Sequence, residues 1–334
     1  MKRVVIVGGG YAGVTLAKEL DAVFDVVLVE RKDRFYHNVG AMRAYADASM
    51  YQDLLIPYDR LLRRGRVIFD EVVAAGTGEA RTSGGLRLDA DAIVVATGSR
   101  HVMPFKNSYR ESAVFLAEAG KMSARLAAAE RLVVFGDGPV AVELAGEISW
   151  RYPQKRLQLV GAGNRLLPGA GNPKLGERLL GMLRGRGVEV LLGQKDAPFA
   201  ADLAIQAFGG EISVPCLGTA GRVPVDRHFR VAGMAGVYAI GDAADCGEPP
   251  LTFLARRQAR YLGRYLQSPG LGPYKPALRT AMSVPLGPEL GATQLPLPGL
   301  PVFGSWVTSL LKGRDLFIGK NWKLLGSDYH SRRE

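Results

Sequence analysis

Cysteine is nearly absent: the 334 residues include only Cys216 and Cys246, thirty positions apart. They form neither a CxxC nor a CxxxxC pair, so a disulfide framework is excluded and no metal site is expected. Such sparing use suits a reducing compartment. No stretch of about 18 uninterrupted apolar residues occurs, so no helix is expected to span a membrane. Met1-Lys2-Arg3 followed by Val4-Val5-Ile6-Val7 imitates a signal peptide, but the run breaks at Gly8-Gly9-Gly10 and reads as a first strand. Lys2 stands where N-myristoylation would need glycine. Zinc-ligand spacings, a helix-turn-helix signature and basic runs interleaved with aromatics are also missing, so no specific nucleic-acid partner is expected.

Apolar residues make up 47% and charged residues 22%, which argues against wholesale disorder. The charge balance is less ordinary, at +11. A basic surface attracts phosphates, nucleic acid, an acidic protein or an anionic membrane. The arginines are nevertheless spread along the whole chain, which an evenly solvated surface explains equally well.

What the chain does have is the same glycine turn twice. Gly8-x-Gly10-Tyr11-Ala12-Gly13 and Gly136-x-Gly138-Pro139-Val140-Ala141 each follow a β-branched strand and open a helix. In that context the first glycine permits a tight turn and the second admits a pyrophosphate. The small third residue lets helix pack on strand, and the helix N-terminus faces the negative charge. Two such turns predict two nucleotides on one protein, and electron transfer between them.

The first unit reads strand 3–7, helix 11–20, strand 25–30. Glu30 closes that strand, with Arg31 beside it, where an acid can accept both ribose hydroxyls of an adenosine. The second unit reads strand 131–135, helix 139–149, strand 156–160, followed by strands near 188–191 and 203–208. Buried strands ending in glycine turns are predicted at 91–98, closing on Thr97-Gly98, and at 236–241, closing on Gly241-Asp242. A helix over 251–266 places Arg256, Arg260 and Arg264 on one face, read as solvated. Residues 269–301 read as irregular or short-stranded. The pattern predicts an α/β fold of two Rossmann-like dinucleotide-binding domains plus a small C-terminal segment.

In order along the chain stand GxGxxG with Glu30, Ala96-Thr97-Gly98, GxGxxA, and Gly241-Asp242. This series resembles the two-dinucleotide flavoproteins of the pyridine nucleotide–disulfide reductase superfamily. Residues 35–43, from Phe35 to Arg43, and residues 312–317, from Lys312 to Phe317, narrow the resemblance. They look like the apoptosis-inducing-factor-like flavoproteins of the ferroptosis-suppressor type, which are NAD(P)H:quinone oxidoreductases. The pattern departs from the family at Ala207-Phe208-Gly209, where a second ATG-like turn is expected. The resemblance implies a discontinuous FAD domain (1–103 and 232–272), an inserted NAD(P)H domain (104–231) and a C-terminal domain (273–334) lining the flavin and quinone pocket. It assigns Arg43 and Asp242 to FAD along with the first turn, and Glu143 to a place beside nicotinamide and flavin. Lys312 is then a cation near the flavin and Phe317 an aromatic wall.

Neither cysteine lies after the first βαβ unit, where a redox pair would sit. Electrons are therefore expected to pass from flavin directly to a quinone, to oxygen, or to a protein partner of the ferredoxin or monooxygenase type. A basic flavoprotein acting on nucleic acid is a reading from a different class. Glu147, one turn beyond Glu143, is expected to be structural. The second unit has no acid at the end of its strand 156–160, and Arg165 follows, so NADPH is expected to be accepted alongside NADH. Residues 302–325 mix aromatics with Lys and Arg. This composition suits either a segment lying on an anionic membrane or apolar packing under solvated lysines. The protein is expected in the cytoplasm, with a peripheral position on the inner membrane face as the membrane-bound variant; its oligomeric state is left open.

Overall fold

The computed structural model describes residues 1–297, 299 and 301–329. Strands Arg3–Val7, Asp25–Glu30 and Ala92–Val95 are buried along almost their whole length, which a strand covered by helices on both faces requires. They form a five-stranded parallel sheet in the order Val237–Ala239, Ala92–Val95, Arg3–Val7, Asp25–Glu30, Arg66–Phe69. The chain runs outward from Arg3–Val7 in one direction and later returns to its other side. The sheet therefore has a switch point between Arg3–Val7 and Ala92–Val95, where a crevice opens at the carboxyl ends of the strands.

A second parallel sheet repeats the plan in the order Glu189–Leu192, Arg156–Gly161, Arg131–Phe135, Leu203–Gln206. Equivalent backbone bonds recur. Gly8 N donates to Val29 O and Gly136 N to Val160 O, both at 2.8 Å; Ala96 N donates to Val7 O and Ala207 N to Phe135 O, again at 2.8 Å. Ala207-Phe208-Gly209 thus takes the place of Ala96-Thr97-Gly98, with Gly209 at φ +70° and Gly98 at φ +74°. The family's turn is kept in the backbone although its central side chain has changed. These two Rossmann-like domains are the fold class expected from the motifs.

Residues 269–301 contain a hairpin, Met282–Leu286 with Leu290–Gln294. It lies on the helix Pro139–Arg151, where a Cβ on Gly146 would come within 2.5 Å of Leu286 Cα. The chain then forms Ser305–Thr308, a wide π-type turn Ser309–Gly313 and the helix Ile318–Leu324. This segment divides its apolar residues. Leu316, Ile318, Trp322 and Leu325 are buried, whereas Trp306, Leu310 and Leu311 are exposed.

One expectation is corrected here. The helix Thr252–Gln267 packs beside Tyr11–Leu20, with Gly263 against Leu16 and Glu19. Its Arg256 is not solvated. The guanidinium lies 5.3 Å from the centre of the Tyr11 ring and bonds Asn321 Oδ1 from the C-terminal helix. Arg260 and Arg264 remain exposed. Regular spacing identifies a common helix face, but a later segment decides whether that face meets water.

Candidate active site

The glycines of the two turns fall into two groups. Gly8, at φ +103°, would bring a Cβ within 2.7 Å of Ala96 O, and a Cβ on Gly13 would lie 1.9 Å from Gly8 O. Gly136, at φ +137°, is confined in the same way by Ala207 O and Ala141. Packing explains these residues. It does not explain Gly10 and Gly138, where a Cβ would meet nothing within 4 Å and where the extended backbone (φ −75° and −81°) suits any residue. Neither helix has a side-chain cap or an acid in its first turn. Each turn therefore leaves an uncapped helix N-terminus facing open space, which fits a pyrophosphate brought close to backbone N–H groups.

Around the first turn, Glu30 is buried and accepts from Gly9 N (2.5 Å) and Lys32 N (3.0 Å), with half-buried Arg31 beside it. Gly241 lies against Ala12, and its N–H is held by Gln258 Oε1 at 2.7 Å. Asp242 Oδ2 accepts from Ser99 Oγ at 2.6 Å and stands 3.4 Å from Lys106 Nζ. Burial pulls the Lys106 ammonium below its ordinary range. Residues from three motifs, the first turn with Glu30, Ala96-Thr97-Gly98 and Gly241-Asp242, thus meet at the carboxyl end of the first sheet; Tyr11 begins the helix there, and Thr97 and Gly98 close the neighbouring strand. Lys106 carries no motif, so no local signal in the sequence marks it.

At the junction with the second domain, Glu143 and Glu147 lie one turn apart on Pro139–Arg151. Lys312 Nζ donates to Glu143 Oε1 at 2.5 Å. Arg43 Nε and Nη2 clasp Glu147 at 2.9–3.1 Å. Burial raises both carboxyls above their ordinary range, and the facing cations offset this only in part. Arg43, expected to bind the cofactor, is therefore committed to Glu147, since a buried carboxylate needs a cation. Its Nη1 points to Arg314 O.

Phe317 and the preceding Leu316 both adopt the left-handed conformation, at φ +62° and +50°. Two consecutive non-glycine residues there need outside support. His37 Nε2 bonds Leu316 O at 2.6 Å, and because a carbonyl only accepts, this nitrogen carries the hydrogen. His37 Nδ1 then accepts from Tyr11 Oη at 2.8 Å. Burial lowers the imidazole to about 4, so it is neutral. Asn321 Nδ2 donates to Phe317 O at 2.7 Å. Tyr11, the first residue of the nucleotide helix, is in this way tied to the turn that carries Phe317. His37 lies inside the 35–43 motif, yet its partner is 279 residues away, so no local signal marks it.

On the second turn, Pro139 opens the helix and Val140 is half-buried. Arg165 is exposed beyond the strand Arg156–Gly161, and its Nη2 donates to Pro168 O at 3.0 Å. Both cysteines are free thiols. Burial pushes both up, Cys216 to about 11, which suppresses the reactive thiolate. Among the described residues no helix is long and apolar enough to cross a membrane, and no His/Cys/Asp/Glu group suits a metal.

A family description, pyridine nucleotide-disulphide oxidoreductase, matches residues 2–259. The chain is 29% identical to apoptosis-inducing factor homolog B of Dictyostelium discoideum, over 96% of this chain and 95% of that protein. It is also 29% identical to ferroptosis suppressor protein 1 of Homo sapiens, over 97% and 95% respectively. In fold it is similar to a NAD-dependent persulfide reductase from A. fulgidus (TM-score 0.71, 18% identity, 87% of this chain), of which it spans only 63%. It is likewise similar to putidaredoxin reductase in its covalent complex with putidaredoxin (TM-score 0.68, 20% identity, 91% and 87% covered). The chain therefore belongs to the pyridine nucleotide-disulphide oxidoreductase family and is an NAD(P)H-dependent FAD oxidoreductase.

Proposed function

We propose that this oxidoreductase passes electrons directly to a quinone, without a thiol relay. The observation that carries the reading is the Lys312–Glu143 ion pair, through which the C-terminal segment brings a cation to the junction of the two nucleotide domains. The helix Ala41–Ala46 that follows the first βαβ unit has no cysteine and is locked there by Arg43 on Glu147.

In this reading residues 1–103 with 232–272 hold FAD, 104–231 hold NAD(P)H, and 273–334 line the approach of the acceptor. Gly10 and Gly138 leave their helix N-termini open to the two pyrophosphates, Glu30 accepts from the adenosine ribose of FAD, and Asp242 takes the ribityl chain. Bound FAD would supply the hydride acceptor and the electron donor. Glu143 orients the nicotinamide side of the site, and Lys312 supplies positive charge where negative charge develops on the acceptor oxygen. Phe317 presents an apolar wall to a planar ring.

Exposed Trp306, Leu310 and Leu311, with Arg314, Lys320 and Lys323 exposed on the same segment, favour an anionic membrane as the surface from which a lipid-borne quinone is reached. The function is tested by anaerobic bleaching of the flavin with NAD(P)H, then reoxidation by a quinone panel, by a ferredoxin and by oxygen. Fast reoxidation by quinones is expected. Bleaching followed by reoxidation only with oxygen or the ferredoxin rejects quinone reduction.

A further inference from the structure

The two nucleotide turns exchange an acid and a glycine between the same two backbone positions. Val7 faces Val29 as Phe135 faces Val160, which makes Gly9 equivalent to Asp137 and Glu30 equivalent to Gly161. In the first copy, a Cβ on Gly9 would lie 3.1 Å from Glu30 Cβ; in the second, a Cβ on Gly161 would lie 2.9 Å from Asp137 Cβ. The two positions face each other at close range, with Tyr58 Oη 2.7 Å from a Gly9 Cβ and Leu192 Cδ2 3.0 Å from a Gly161 Cβ closing the same space. The first copy fills it from the strand end and the second from the turn.

Asp137 is held in that place. Its Oδ2 accepts from Gly163 N at 2.9 Å, and its backbone O accepts from Leu167 N at 2.7 Å. A Cβ on Gly163 would lie 2.7 Å from the same Oδ2, so any larger residue there would push the carboxylate from this position.

We propose that Asp137 is the ribose-binding acid of the NAD(P)H site and biases that site toward NADH. A carboxylate at the carboxyl end of the second strand accepts from the adenosine ribose hydroxyls and repels a 2′-phosphate. The strand itself offers no acid, but the turn delivers one to the same end. Arg165 is the opposing charge. It is exposed and turned back onto Pro168 O, whereas Asp137 is fixed at the strand end, so the acid dominates.

This inference rests on the second turn being the NAD(P)H site, and the experiment separates the two claims. The FAD-loaded protein is titrated calorimetrically with ADP-ribose and with 2′-phospho-ADP-ribose, ligands that bind without turnover. The intact chain is expected to favour ADP-ribose by roughly tenfold or more, the scale of a hydrogen bond to a charged group. Asp137→Asn, nearly isosteric, is expected to move that ratio toward the phosphorylated ligand by about tenfold. Asp137→Gly with Gly161→Glu, which recreates the first copy's arrangement, is expected to restore the preference. An unchanged ratio in Asp137→Asn overturns the role of Asp137 while leaving the site in place. Failure of both ligands to bind the intact chain overturns the site and, with it, the inference.

Discussion

Glu143 and Lys312 are 169 residues apart in sequence and joined by a 2.5 Å hydrogen bond. Their side chains are 7% and 13% exposed, so water does little to compensate either charge if the other is removed. The partner determines whether each can remain charged. The pair is also the direct link between the nucleotide helix Pro139–Arg151 and the turn Ser309–Gly313.

A double-mutant cycle follows from that geometry. Lys312→Met leaves Glu143 buried beside Glu147 with its cation gone, which should cost about 3–5 kcal/mol in denaturant unfolding and raise the Glu143 carboxyl further. Glu143→Gln should be milder, because the amide oxygen still accepts from Lys312. Combining Glu143→Gln with Lys312→Met should recover at least about 1 kcal/mol relative to the sum. Additive losses would show that the contact carries no coupling.

His37 gives the chain a dependence on acid. Its folded value of about 4 lies below the ordinary 6.5, so the neutral form is favoured by folding. Stability from this group is fully present above pH 6.5 and declines as pH falls toward 4, because the unfolded chain binds the proton first. The charged groups facing it are Arg256 and Lys312, which disfavour a charged ring, and Asp315, which favours one; Tyr11 Oη, which donates to the neutral Nδ1, would have to turn and accept from it. His37→Gln keeps a donor for Leu316 O but does not titrate. Urea unfolding between pH 7 and 4.5 should therefore fall more steeply for the native chain, by at most about 1.4 kcal/mol per pH unit. Parallel curves for the two proteins would refute the assignment.

The strands, helices and both nucleotide turns were legible because their signals are local: β-branched runs, glycine spacing and the small third residue. Ala207-Phe208-Gly209 departs from the family pattern in its side chains, yet the backbone bond from Ala207 N to Phe135 O is kept, and side-chain identity says little about such a bond. The pairings were not legible. Arg43 with Glu147, His37 with Leu316 O and Arg256 with Asn321 each join distant parts of the chain, and nothing near any one residue names its partner. Asp137 shows the same limit: its contact with Gly161 and its bond from Gly163 N join the turn to the strand end, and neither stretch of sequence marks the other.

Membrane contact makes its own prediction. Trp306 is 75% exposed, Leu310 59% and Leu311 43%. Deleting the segment would be a poor test, because Trp322 and Leu325 are buried and Trp322 Nε1 bonds Asp53 O. Trp306→Ser with Leu310→Ser leaves those anchors intact. The FAD-loaded protein should co-sediment with vesicles rich in phosphatidylserine, and the paired variant should lose most of that binding. Neutral vesicles should bind the native protein more weakly, as basic residues contribute about 1 kcal/mol each near an anionic surface. Equal sedimentation of both proteins would remove the membrane from the account.

The two kinds of glycine in the nucleotide turns should respond differently to alanine. Gly13→Ala forces a Cβ to 1.9 Å from Gly8 O, so the turn must open and the whole domain should lose stability even without cofactor. Gly10→Ala meets only open space. Its cost at the helix N-cap is small and is partly offset by a less flexible unfolded chain, leaving apoprotein stability within about 1 kcal/mol. The added methyl instead occupies the space left for a pyrophosphate. Gly10→Ala should therefore fold normally and purify with little FAD, as read from its flavin absorbance. Gly138→Ala should retain FAD while its KM for NAD(P)H rises. A Gly10→Ala protein with full flavin content would mean that the open space at the first turn is not where the cofactor's phosphates sit.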